Sequence, residues 1–294
     1  MSGNLQKRWL AARGGAGLIF GVLLLLVMAG GCATRPLPLG EPLGEGPQRE
    51  LVAAFAQEME QRRQQLRCLD AEVDVSWRTW LRSGTMPGYL QLKEPANLKF
   101  VGLDPLARPL LALAVTGDNF RLVLVHEATV YEGPTSARAF SRHLPAGLNA
   151  AALGDSLFAW LSGGMPFEAA IEAVYREAEV PKEQEPGFWL ELAQPQLVRL
   201  LYRPVAGEPG RIERVQLFEE GGGSPTELIY SDQRLLAVQD GGARWPVPHR
   251  LELAARRQQG LDLTITLSDV LTQCPPTADF ELPIPRGYER QILE

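Results

Sequence analysis

Gly102-Leu103-Asp104-Pro105-Leu106-Ala107-Arg108-Pro109 runs directly into Leu110-Leu111-Ala112-Leu113-Ala114-Val115. Each proline fixes its own φ and pushes the residue before it toward extended geometry, so no strand can continue through Pro105 or Pro109. The flanking segments 98–103 and 110–116 read as strands. The spacing therefore predicts a loop between two neighbouring strands, with Leu106 near its apex. A leucine held there either folds back onto the core or is offered to something outside the fold.

Outward from this loop the same grammar repeats. Residues 69–81 alternate, with Ala71, Val73, Val75 and Trp77 on one face and Asp70, Glu72, Asp74 and Arg78 on the other, the signature of a half-exposed antiparallel strand. Further strands are predicted over 89–93, 120–126 and 129–131, separated by Ser83-Gly84, Pro87-Gly88, Glu94-Pro95-Ala96-Asn97 and Gly117-Asp118-Asn119. This is hairpin spacing, not that of strands alternating with helices, so the first half is a meander. Ahead of it, Leu51, Val52, Phe55, Met59 and Leu66 recur at helical spacing from residue 48. Acids early in that helix and Arg62, Arg63 and Arg67 late suit its dipole.

Residues 134–179 break the meander with helical pattern. Asn149 is placed to cap a helix whose Leu153, Leu157, Trp160 and Leu161 share a face and which Gly163-Gly164 and Pro166 end. Phe167, Ile171, Val174 and Tyr175 suggest a second short helix. Strands resume over 188–193, 198–203, 212–218, 227–231, 249–255 and 261–267, with glycine-rich turns between them. The expected fold is thus mainly β with an α+β character. Two meanders and a helical crossover form one antiparallel sheet of about a dozen strands, large enough that it must curl.

The N-terminus reads as an export signal. Lys7, Arg8 and Arg13 precede an apolar run over 16–27 that ends in Met28-Ala29-Gly30-Gly31-Cys32. Small residues directly before a cysteine resemble a bacterial lipobox. Residues 1–31 would then be a signal peptide, and Cys32 would carry the acyl chains (palmitate-like) as the first mature residue. The competing reading is an uncleaved anchor, since 16–33 could just span a bilayer. Ala33 follows the cysteine in place of an inner-membrane retention aspartate, so the outer membrane, facing the periplasm, is the expected location. Residues 32–47 are rich in proline and glycine and read as a tether, with the folded domain at 48–294.

The residues quoted above resemble the LolA/LolB-like family of outer-membrane lipoprotein carriers, its LolB branch most closely. Asp104-Pro105-Leu106-Ala107 is similar to that branch's Asn-Pro-Leu-Gly turn. Trp160-Leu161-Ser162-Gly163-Gly164-Met165-Pro166 is similar to a tryptophan-led segment ending in Gly-Leu-Pro, and Pro248 to Leu253 with the alternating Leu261, Leu263, Ile265 and Leu267 to its last two strands. The resemblance covers residues 66–270. It implies an open half-barrel under a helical lid, holding the acyl chains of other lipoproteins or lipids. It also implies a periplasmic LolA-like donor, delivery to the outer membrane, chaperone-like protein transport and a membrane-touching role for Leu106. Segment 167–187 and the tail after Asp269 exceed the family pattern and leave room for a changed partner.

On this reading the cavity lining is Val75, Trp77, Leu90, Leu92, Phe100, Leu111, Leu113, Leu122 and Leu124, and the lid face is Leu153, Leu157 and Trp160. For each lining residue, an ordinary sealed core position is the plain alternative. A lipid sensor or a structural envelope lipoprotein on the same fold, without transfer activity, is the alternative at the level of function.

A formal charge of -6 argues against nucleic acid as a partner. No phosphate-binding glycine loop, nucleophile elbow or Cys-x-x-Cys occurs, and His126, His143 and His249 lack metal-ligand spacing. The expectation is a monomeric non-enzyme with no cofactor and no metal. Cys68 and Cys274 flank the strand region; in an oxidising compartment they either bridge its beginning to its end or stay as two free thiols.

Overall fold

A computed structural model describes residues 39–79, 82–136, 153–165, 170–178, 180, 184–192, 197–218, 225–238 and 242–294 except 256–260. The signal segment, Cys32, Asn149 and His143 lie outside the described residues, as do the side chains of Leu153 and Leu157.

Helix α1 (Glu45–Gln65) precedes a first meander of β1 (Cys68–Arg78), β2 (Ser83–Lys93), β3 (Asn97–Leu103), β4 (Pro109–Thr116), β5 (Asn119–Leu124) and β6 (Thr129–Pro134). Helix α2 (Leu153–Ser162) lies in the crossover. The second meander is β7 (Ile171–Arg176), β8 (Phe188–Leu192), β9 (Val198–Val205), β10 (Glu208–Leu217), β11 (Thr226–Ala237), β12 (Arg244–Ala255) and β13 (Leu261–Leu271). A short 3-10 turn (Thr277–Phe280) and β14 (Glu289–Ile292) complete the chain.

All fourteen strands form one open sheet in the order β14-β6-β5-β4-β3-β2-β1-β13-β12-β11-β10-β9-β8-β7. The meanders therefore meet at the sheet's centre, where β1 pairs antiparallel with β13 and Val73 lies opposite Leu267. Every described pairing between consecutive strands is antiparallel; β14 lies parallel to β6. The mainly β antiparallel sheet expected from the turn spacing is found, and it is open, as the resemblance implied.

Three local expectations are corrected. Residues 171–176 form a strand, not a short helix. Ile171, Val174 and Tyr175 are β-branched or aromatic, and Val174 pairs with Leu190 and Tyr175 with Trp189 on β8. The segment expected to be a free tether up to residue 47 is bound to the fold earlier. Leu43 N–H donates to Val174 O at 2.8 Å, Arg176 N–H donates to Glu41 O at 2.8 Å, and α1 begins at Glu45. The tail, read only as an extension, crosses the sheet's outer face and returns as β14 along the edge of β6.

The main core lies between the sheet's inner face and the helices. Phe55 and Met59 of α1 are buried in it, with the Phe55 ring 4.9 Å from that of Tyr202 on β9 in an edge-on arrangement. On the outer face a smaller cluster of Ala114, Val123, Val130 and Leu282 packs the tail against β4, β5 and β6. Cys68 and Cys274 are bridged, with 5.0 Å between their Cα atoms and 206 residues between them in sequence. The bridge fastens the start of β1 to the root of the tail.

Candidate functional site

The sheet has two ends. One carries Cys68, the other the 104–108 loop and the 125–128 turn. Residues opposite one another in an antiparallel pair share a face, so the register fixes which side chains line the inside. The row nearest the disulfide is Leu69, Leu92, Leu98, Val115 and Phe120, linked by successive pairings. All five are at most 4% exposed.

The next rows toward the loop end open progressively. Ala71 and Leu90 remain buried, but Phe100, Leu113 and Leu122, in register with Leu90, are half-buried. Leu111 and Leu124, opposite each other one row on, are half-buried too, as are Val75 and Trp77 on β1. On β13 the same gradient runs from buried Leu267 to half-buried Ile265 and Leu263. In the other half of the sheet the loop end stays sealed, with Leu192, Val198, Leu217, Leu228 and Leu253 all at most 5% exposed, and half-buried Leu236 lies toward the opposite end. At the loop end the accessible apolar inner surface thus belongs to β1–β5 and β13.

All nine residues expected to line a cavity share this inner face. Leu90 and Leu92 are sealed core, whereas Val75, Trp77, Phe100, Leu111, Leu113, Leu122 and Leu124 are accessible. Glycines thin this wall where large neighbours cover them: a Cβ on Gly84 would fall 2.4 Å from the Trp77 indole, so only glycine leaves room for the ring there.

The loop that ends β3 projects at the same end. Leu106 is 72% exposed, the most exposed large apolar side chain among the described residues. Asp104 builds the projection. Its Oδ1 accepts the backbone N–H of Leu106 at 2.8 Å and of Arg108 at 2.9 Å, and its Oδ2 accepts Arg108 Nε at 2.7 Å. The backbone closes in parallel, Asp104 N–H donating to Arg108 O at 2.8 Å. These bonds, the backbone N–H of Arg108 foremost, hold the Asp104 carboxyl below the usual aspartate range. Sequence reasoning named Leu106 but missed Asp104, although an aspartate two residues before a turn apex is a recognisable Asx-turn signal.

The helical cover is locked by one residue read from sequence only as a dipole-suited charge. Arg62 is 3% exposed. Its Nη2 donates to the carbonyl of Ser162, the last residue of α2, and to Pro246 O at 2.8 Å on β12, with the guanidinium 5.8 Å from the Trp245 ring. Burial lowers its pKa to about 10, leaving it charged at neutral pH. A cation on the last carbonyls of a helix is favoured by the unpaired C=O groups there. Gly163, at φ +78°, ends α2, and its N–H donates to Trp160 O at 3.2 Å. Trp160, expected on the lid face, is 3% exposed and sits in the core.

The interior also keeps polar atoms without partners among the described residues: Glu58 Oε1, Arg62 Nε, Trp160 Nε1, Tyr230 OH and His249 Nε2. His249 Nδ1 lies 3.0 Å from Leu267 O, and burial lowers its pKa. On the outer face, a recess of 510 Å³ lies between the tail and β4–β6. It contains Arg121 bonded to Glu132, a charged lining unsuited to acyl chains.

No protein-family model and no curated protein matches this chain. Among solved structures it is similar to a LolA superfamily protein from Nitrosomonas europaea, at 13% identity over 79% of this chain and 97% of that one, with a TM-score of 0.50. It is also similar to a DUF1329 family protein from Desulfovibrio piger, at 13% identity over 79% and 96% of the two chains, with a TM-score of 0.51. At such identity the likeness is one of fold, and the fold is LolA-like.

Proposed function

We propose that this protein is a lipid-anchored envelope carrier of the LolA/LolB type. It accepts the acyl chains of lipoproteins or other lipids on its apolar inner face and delivers them to the outer membrane. The observation that supports this reading is a coincidence of place. The inner face becomes accessible toward the same end of the sheet at which Leu106 projects.

A long acyl chain carries on the order of 12 kcal/mol of transfer free energy, at about 0.8 kcal/mol per CH₂. The half-buried strip of Trp77, Phe100, Leu111, Leu113, Leu122 and Leu124 offers a surface that offsets this cost in water. Delivery then needs no chemical step. Cargo moves from a LolA-like donor to this strip and on to the bilayer by successive gains in affinity, and the protein is a carrier and not an enzyme. Leu106 lowers the last barrier by touching the bilayer, while acylated Cys32 keeps the domain near it. Arg62 holds α2 over the sheet when the strip is empty.

The test is native mass spectrometry of the purified chain, followed by transfer of a radiolabelled acylated protein to vesicles. Co-purifying lipid or acylated peptide and Leu106-dependent transfer support the carrier. A chain that takes up no acylated ligand sinks the carrier reading and leaves a structural envelope lipoprotein.

A further inference from the structure

Seven large apolar side chains are exposed among the described residues: Tyr89, Leu106, Leu110, Val125, Leu271, Ile284 and Ile292. Four of them collect at the loop end of the sheet, which a solvated protein surface would not require. Leu106 stands on the 104–108 loop, and Leu110 (41% exposed) begins β4 just beyond it. Val125 (38%) follows β5, and its N–H donates to Leu110 O at 3.0 Å, fixing the two side by side. Ile284 (39%) belongs to the tail. The turn after it is seated on the same place: Tyr288 OH donates to Val125 O at 3.5 Å and Glu289 N–H to Ala128 O at 2.9 Å.

We propose that Leu106, Leu110, Val125 and Ile284 form one bilayer-contacting face, one of the four supplied by the C-terminal tail. This deepens the proposed role of Leu106 and rests on that reading for the direction in which cargo leaves. The occupant is a phospholipid surface for three reasons. First, the face stands at the rim toward which the acyl-accessible strip opens: Leu110 and Val125 lie on the outer side of the same strand ends whose inner side carries Leu111 and Leu124. A protein seated there would cover the exit, whereas a bilayer receives what leaves it. Second, the four exposed side chains are all aliphatic, the chemistry that an acyl-chain boundary accepts. Third, the two projecting segments share a pattern, Pro105-Leu106-Ala107-Arg108 and Pro283-Ile284-Pro285-Arg286. In each, a proline-stiffened aliphatic residue is followed two positions later by an exposed arginine. That spacing suits an aliphatic side chain below the headgroups with a guanidinium at the phosphates.

The tail's course over the outer face brings Ile284 here. It leaves the disulfide at Cys274, packs Phe280 and Leu282 down, and turns at residues 285–288 beside Val125. The part of the chain that exceeds the family pattern thus widens the contact and orients the exit toward lipid.

The experiment places an environment-sensitive fluorophore on the full chain through Leu106→Cys, Val125→Cys, Ile284→Cys and, at the opposite end, Ala206→Cys. Each is reconstituted by its own N-terminal segment into phosphatidylethanolamine–phosphatidylglycerol vesicles carrying a lipid-borne quencher. The proposal expects blue-shifted emission and several-fold stronger quenching at 125 and 284 than at 206, persisting at 284 when Leu106→Glu is added. Quenching at 106 alone overturns the shared face and leaves the Leu106 reading standing. Quenching at 125 and 284 but not 106 removes Leu106 from the contact and keeps the tail in it. Equal signals at all four positions overturn both.

Discussion

Arg62 Nη2 donates to the carbonyl of Ser162, so a single guanidinium near the end of α1 closes the last turn of α2, 100 residues away in sequence. The same nitrogen reaches Pro246 O on β12, and the three elements share one charge. Arg62→Met keeps most of the side chain's volume and removes both bonds. It should destabilise the fold by about 1–3 kcal/mol, the cost of buried carbonyls left without a donor. Amide exchange in α2 should rise before that of β12, as followed by mass spectrometry. Uniform loosening of both would mean that Arg62 is ordinary packing and not a fastener of the cover.

The graded inner face separates stability from binding. Leu92 is fully buried, and Leu92→Ala should cost about 2–5 kcal/mol in urea titration. Leu111 is half-buried on the accessible strip, and Leu111→Ala should cost about 1 kcal/mol while weakening acyl-ligand binding several-fold. Equal losses of stability, with binding untouched, would make the strip an ordinary core.

Leu106 is 72% exposed, so Leu106→Glu should leave the thermal midpoint nearly unchanged, within about 0.5 kcal/mol, and leave ligand binding intact. Delivery of a labelled acylated protein to vesicles should fall sharply. Unchanged delivery would remove the loop from the mechanism.

The brace under that loop depends on an ionised Asp104, whose pKa is depressed in the fold, chiefly by the backbone N–H of Arg108. A depressed carboxylate contributes fully above its unfolded pKa and loses its contribution as pH falls through the lower folded value. Loop order, followed by the exchange of the Leu106 and Arg108 amides, should hold from neutral pH down past the ordinary aspartate range. Below that it should fail. Asp104→Asn should loosen both amides at every pH.

Replacing Cys68 and Cys274 by serine frees a closed loop of 206 residues. The chain-entropy model assigns such a loop about 5 kcal/mol. The urea midpoint should drop accordingly, and proteolysis should find the tail near residues 275–288 before the sheet. An unchanged midpoint would place the tail's hold in Phe280, Leu282 and the Arg290–Glu132 pair instead.

Much of the architecture was legible because it is written locally. Glycine and proline turns punctuate strands whose two-residue alternation survives in the structure, as in Val73, Val75 and Trp77. What escaped was written at long range. Residues 171–176 carry a helix-compatible spacing, and only pairing with β8 decides for a strand. Arg62 looks like a surface charge until Ser162 and Pro246 arrive to accept its hydrogen bonds. The tail has no periodicity to announce it, yet four residues of it find an edge. At the candidate site Leu106 could be named from its prolines alone. Its apolar companions Leu110, Val125 and Ile284 lie on three separate segments, and only the assembled sheet makes them neighbours.

The pairing of β1 with β13 has a consequence for how this molecule is made. Its central seam joins segments some two hundred residues apart, so a nascent chain holds two fragments with naked edges and no middle. Assembly must wait for the last long strand. A ribosome that stops before residue 261 yields material for proteases and holding chaperones, with no smaller working version in between.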